Sequence, residues 1–135
     1  MKIVLDTNVL ISALINEGKP RQLLFRLIKS KHDLITSEEI LEELAITASE
    51  PRIQKYVTQQ DIADFLRDVA TASKIVEVKS KFNIVKEDHD DDTILSAAFD
   101  SRASYMVSGD RHLLEMGRFR RTRIVTVDEM FRLLG

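Results

Sequence analysis

The chain contains no cysteine. This excludes disulfides, thiolate zinc sites and thiol nucleophiles together, and it fits a reducing compartment. Any bound metal must be held by oxygen or imidazole. Long hydrophobic runs are also missing: nothing approaches the ~20 apolar residues that span a bilayer, so no membrane span is expected. The opening stretch MKIVLDTNVLISALI is apolar, but Asp6 and Asn8 interrupt it and no small-residue cleavage site follows. A mature cytoplasmic start is expected rather than a signal peptide. Excess positive charge is absent as well. A formal net charge of −2 gives no general attraction for nucleic acid, whose non-specific binding draws on Lys and Arg. With neither internal repeat nor low-complexity linker, the 135 residues suit one domain, 1–135, able to bury about two-thirds of its unfolded surface.

What is there alternates between short β-type runs and longer helical ones. Strands are expected at 2–5, 34–36, 75–78, 105–107 and 124–126. Helices are expected at 8–15, from Pro20, from a Ser37 cap, over 61–72, from within the acidic run 86–92, over 112–116 as a short turn or helix, and over 128–134. Such alternation argues for βα units around a parallel sheet. In sheets of that kind ligands bind at the carboxyl ends of the strands, where strand order reverses.

Four acids stand at the ends or edges of these segments: Asp6, Glu43, Asp92 and Asp110. Carboxylates so placed can converge on one crevice. Like charges sharing a site raise one another's pKa, and a divalent cation relieves the repulsion. The expectation is a metal site suited to phosphodiester chemistry.

Plainer readings stand beside this one. Asp6 could cap the helix that follows it. One of Glu42 and Glu43 should be solvated, and register favours Glu43 as the functional acid. Asp88, Asp90, Asp91 and Asp92 could form only an acidic helix start, with Asp91 a supporting acid. His89 and His112 read as solvated. Arg111, Arg118, Arg120, Arg121 and Arg123 form either a solvated loop or a basic strip beside the acidic pocket. Phe25, Phe65, Phe99 and Phe131 fall at apolar helical positions and read as core.

The segments Asp6-Thr7-Asn8-Val9-Leu10, Thr36 to Leu44 (TSEEILEEL), Asp91 to Ala98 (DDTILSAA) and Ser108-Gly109-Asp110, in that order, resemble the PIN-domain family. The nearest likeness within it is to single-domain toxins of toxin–antitoxin pairs, relatives of the VapC-type ribonucleases. The resemblance implies a three-layer α/β/α fold with a central parallel sheet of about four to five strands. It also implies Mg²⁺- or Mn²⁺-dependent endoribonuclease activity, an RNA substrate, a cognate antitoxin and a homodimer. By position, Asp6, Glu43, Asp92 and Asp110 resemble the metal-binding and catalytic acids. Thr7, Asn8 and Ser108 resemble the small polar residues that support them.

The alternative is a catalytically weak or inactive PIN-like module that binds RNA or protein. An aspartyl phosphatase of the haloacid-dehalogenase type expects Asp two residues after the first, where this chain has Asn8. A phosphotransfer receiver expects its acceptor Asp later in the chain.

Overall fold

A computed structural model describes residues 1–82 and 89–135, with residues 89–91 described by their backbone alone. Six strands form one sheet: β1 (Lys2–Leu5), β2 (Asp33–Thr36), β3 (Lys74–Ile75), β4 (Tyr105–Val107), β5 (Arg118–Phe119) and β6 (Thr122–Val125). Their order is β3-β2-β1-β4-β6-β5. Every pairing is parallel except β5 with β6. Helices flank the sheet: α1 (Thr7–Ile15), α2 (Lys19–Lys29), α3 (Glu38–Ala48), α4 (Pro51–Gln54), α5 (Gln59–Ala72), α6 (His89–Ser101), α7 (Arg111–Met116) and α8 (Val127–Leu134).

Burial explains the three layers. Ile3, Val4 and Leu5 in succession are at most 1% exposed, and Leu34–Ile35 and Met106–Val107 are also buried. Successive strand residues point to opposite faces, so uninterrupted burial requires cover on both. Leu10, Leu23, Leu24, Leu27, Ile40, Leu44, Ile94 and Leu95 contribute the helical side of that core. Truncating one such Leu to Ala removes about 2–5 kcal/mol.

Local chemistry sets the boundaries. Ser37 accepts a bond from the Ile40 N–H, the plain cap expected for α3. The fifth helix begins earlier than expected because Asp61 is not its start but the far half of a capping box. The Thr58 side chain accepts from the Asp61 N–H, and the Asp61 carboxylate accepts from the Thr58 N–H. The expected strand 75–78 shrinks to Lys74–Ile75; beyond it Val76 still donates to Thr36, after which Asp100 captures the chain through the Lys79 and Ser80 N–H groups and the Ser80 hydroxyl. The short strand β5, Arg118–Phe119, is not among the five expected from the sequence. At two residues inside a basic stretch it carries no period-2 signal.

Two of the four aromatics expected in the core are not there. Phe25 is 54% and Phe99 41% exposed, while Phe65 and Phe131 are half-buried against the core. Among the described residues no helix is long and apolar enough to cross a membrane.

Candidate active site

The sheet order reverses between β1 and β4: the chain proceeds from β1 outward to β2 and β3, then crosses back to β4 on the other side of β1. Leu5 and Val107 are register partners at the carboxyl ends of those strands. The next residues, Asp6 and Ser108, therefore emerge side by side at the crevice where such sheets bind ligands. Two further bonds extend the ladder there, Asp6 N–H to the Val107 carbonyl and Ser108 N–H to the Val125 carbonyl, both 3.0 Å.

Asp6 occupies the N-cap position of α1, but its side chain makes no cap bond. Instead its Oδ2 accepts a 2.7 Å hydrogen bond from the Ser108 hydroxyl. The carboxyl is only 6% exposed, and no cation pairs with it among the described residues. Burial pushes its pKa above the ordinary 3.8, and the negative charge of Asp110 adds to that. Ser108 and the Thr7 and Asn8 backbone N–H groups oppose the rise without cancelling it.

Ser108 is fully buried and links two acids. While donating to Asp6, it accepts a 3.0 Å bond from the Asp110 N–H. Asp110 in turn caps α7, its Oδ1 accepting from the His112 and Leu113 N–H groups at 2.8 and 3.2 Å. Asp6, Ser108 and Asp110 thus form one connected unit. Thr7 is buried behind it, and Asn8 is exposed toward a cleft of about 660 Å³ that Ser12, Lys19, Asp110, Arg111 and Asp128 also line. Lys19 and Asp128 close one side with a 2.8 Å ion pair. The Lys19 ammonium holds the Asp128 carboxyl below its usual range.

Glu43 and Asp92 are carried by two further helices. Glu43 is half-buried on α3 and Asp92 is 7% exposed on the first turn of α6, and these two helices pack together. Asp92 lines a second hollow of about 380 Å³ with Glu39, Ser80, Lys81 and Phe82. Among the described residues no three His, Asp or Glu side chains come together closely enough to hold a metal ion. Among the described residues the bonds through Ser108 join Asp6 to Asp110, and Glu43 and Asp92 are carried by the packed helices α3 and α6. The Asp91 side chain, like the side chains of Asp88, His89 and Asp90, lies outside the described residues.

Glu39 was not singled out from the sequence as a site residue. The available signal was its four-residue spacing from Glu43, which places both on one helical face. His112 contributes only its backbone N–H to the cap and is exposed. Arg111 lines the cleft and has a long 3.6 Å contact with Glu115. The other arginines of the basic stretch are not a strip beside the acidic pocket. Arg120 and Arg121 form the turn between β5 and β6 and so precede β6, at the amino end of the sheet, the pole opposite Asp6.

Several known proteins are similar to this chain in sequence or fold. A relative from Methanocaldococcus jannaschii, "Uncharacterized protein MJ1680", is 33% identical over 118 residues, covering 86% of this chain and 75% of its own length. VapBC2 from Rickettsia felis, solved bound to a DNA fragment from its promoter, superposes with a TM-score of 0.67 at 17% identity, covering 93% of this chain and 98% of the matched chain. PAE2754 from Pyrobaculum aerophilum gives 0.66 at 16% identity, covering 99% and 89%. At those identities the two crystal structures speak for the fold. The family model for the PIN domain matches residues 2–112, taking in both strands of the switch point and Asp6, Glu43, Asp92 and Asp110, and the chain belongs to the PIN-domain family.

Proposed function

We propose that this protein is a metal-dependent endoribonuclease and the toxin of a toxin–antitoxin pair, working in the cytoplasm as a homodimer. One observation carries the reading: Asp6 is a buried carboxylate without a cationic partner among the described residues, coupled through Ser108 to a second acid at the switch point of the sheet. A buried charge of this kind is costly unless neutralised or matched by a cation. PIN domains are generally nucleases, which supplies a reason for tolerating that cost. The VapBC2 likeness supports the antitoxin partner at the level of fold.

The donor set suits a hard cation. Mg²⁺ takes oxygen ligands, keeps several waters and uses one or two carboxylates directly; Asp6 and Asp110 supply that number, with Glu43 and Asp92 as further acids on α3 and α6. Bound there, Mg²⁺ or Mn²⁺ would acidify water and stabilise negative charge on the phosphate. The chain's own part is to position. Ser108 fixes the orientation of Asp6, and the cap bonds to His112 and Leu113 fix Asp110. Asn8, Lys19 and Arg111 along the cleft receive the RNA backbone. Hydrolysis breaks the bond from phosphorus to O3′, leaving a 5′-phosphate and a 3′-hydroxyl, with no histidine required as acid or base.

The test is cleavage of a panel of structured and single-stranded RNAs with Mg²⁺, Mn²⁺ or EDTA, beside an identically purified Asp6→Asn, Asp92→Asn variant. Metal-dependent cutting lost in the variant is the expected result. Equal cutting by the variant would overturn the assignment of these acids, and no cutting under any metal would favour the RNA- or protein-binding module.

A further inference from the structure

The hairpin at the far edge of the sheet and the end of α6 beside it depart from local rules at three places, each time with arginine. Arg118 of β5 and Arg123 of β6 are direct cross-strand partners, and like charges placed opposite one another are destabilising. Arg120 in the turn has φ 56° and Arg102, just after α6, has φ 58°; no other non-glycine residue among those described is left-handed. Glycine adopts that conformation without cost, whereas a residue with a Cβ does not. Arg102 ends α6 by the bonds Arg102 N–H to Phe99 and Ala103 N–H to Ala98, a termination in which glycine is the usual residue.

All of these arginines, with Arg121, are exposed, and none is in an ion pair among the described residues. The hairpin and Arg102 are neighbours, because Thr122 donates to the Ala103 carbonyl and the Arg123 N–H to the Ser104 carbonyl. The closest acid in sequence, Asp100, is committed to Lys79 and Ser80. Each side of the hairpin pairs arginine with an aromatic. The Arg120 guanidinium lies 5.6–6.0 Å from the Phe82, Phe99 and Phe119 ring centres, and Phe99 remains 41% exposed. Half-buried Tyr105 is the register partner of Arg123 on β4.

Local rules broken together at one place mark function more often than accident. Unpaired arginines beside accessible rings are the elements of single-strand binding, in which phosphates meet guanidinium groups and bases stack on aromatic faces. We infer that the β5–β6 hairpin, with Arg102 and Phe99, is a second binding surface for single-stranded RNA, at the pole of the sheet opposite Asp6. It holds a stretch of RNA away from the acidic cleft. The inference takes its ligand class from the ribonuclease reading but requires neither metal nor catalysis.

The test uses the full chain carrying Asp6→Asn, in EDTA, titrated into a labelled single-stranded RNA by fluorescence anisotropy over a range of salt. Against this parent stands a variant with Arg118→Ser, Arg121→Ser and Arg123→Ser added; Arg120 is kept so that the ring stack survives. The expected result is at least about tenfold weaker binding, with the salt slope shallower by about 2, as losing three phosphate contacts requires, and no fall in Tm. Affinity and slope unchanged from the parent would overturn the proposal. So would polyglutamate displacing the RNA as well as unlabelled RNA of equal charge does, which would identify an acidic protein as the ligand. If the triple variant melts early, Arg118→Ser alone is read, with a slope change of about 0.7 expected and none overturning. Since binding alone is measured, failure here leaves the nuclease reading standing, and a failed cleavage assay leaves this one.

Discussion

The two ends of the sheet solve opposite electrostatic problems. At the carboxyl end, anions are concentrated and shielded: Asp6 is buried, Ser108 lies between it and Asp110, and backbone N–H groups absorb part of the charge. At the amino end, cations are concentrated and left open, with arginines opposed across a hairpin and, among the described residues, no acid in an ion pair with them. A net charge of −2 averages these poles and conceals both. The contrast teaches that polyanion chemistry on a near-neutral protein is to be sought in the separation of charge and not in its sum.

The carboxyl end is the more sensitive to change. Asp110→Asn keeps a hydrogen-bonding cap on α7 while removing charge, and is expected to lower metal-dependent RNA cleavage by about 100-fold or more, measured as initial rate at saturating Mg²⁺. Ser108→Ala leaves the charges and removes their connector. A loss of about 10- to 100-fold is expected, recovered in part at higher metal concentration, because an orienting group acts on ligand affinity. A rate unchanged by Ser108→Ala would detach the serine from the site.

A third experiment sets the poles against each other. The Arg118, Arg121 and Arg123 variant should cleave a dinucleotide at the normal rate while losing efficiency on long RNA, seen in KM and not in kcat. An equal loss on both substrates would dissolve the distinction between the two ends.

Stability offers a smaller contrast. The Asp6 carboxyl is raised above its ordinary 3.8, so the folded protein holds that proton more tightly than the unfolded chain. The associated stability is fully present below the unfolded pKa and is lost as pH rises through the folded value. Without metal, Asp6→Asn should therefore melt above the parent at neutral pH, by a margin that shrinks on acidification. Thermal melts of both proteins across that range provide the check, and a pH-independent gap would argue against a perturbed Asp6. Smallest of all, Lys19→Ala breaks an ion pair that is largely exposed and should leave the urea unfolding midpoint almost unchanged.

The sequence carried the α/β alternation because the strands are short apolar runs and the helices amphipathic stripes, and both signals are local. It also carried Asp6 and Asp110, since each directly follows such a strand. What it could not carry was register and sidedness. Nothing in Arg118 to Arg123 reveals that a two-residue strand folds the stretch back and takes its arginines to the far pole. Phe25 and Phe99 fit the apolar stripe of their helices by spacing, yet whether a neighbour covers a given stripe position depends on elements distant in the chain. Glu39 was hidden for a related reason, as its place beside Asp92 is set by the packing of α3 against α6.

The cleft is walled by Asn8, Ser12 and Lys19 from the first helices and by Thr126, Val127 and Asp128 from the last. A chain emerging from the ribosome makes the first wall more than a hundred residues before the second. Its central strand, β1, must also wait for β4 before its second edge is paired, and contacts this far apart in sequence form late. The nascent polypeptide consequently lacks the cleft until Thr126, Val127 and Asp128 have emerged, and whatever the cleft does to RNA cannot begin before that point.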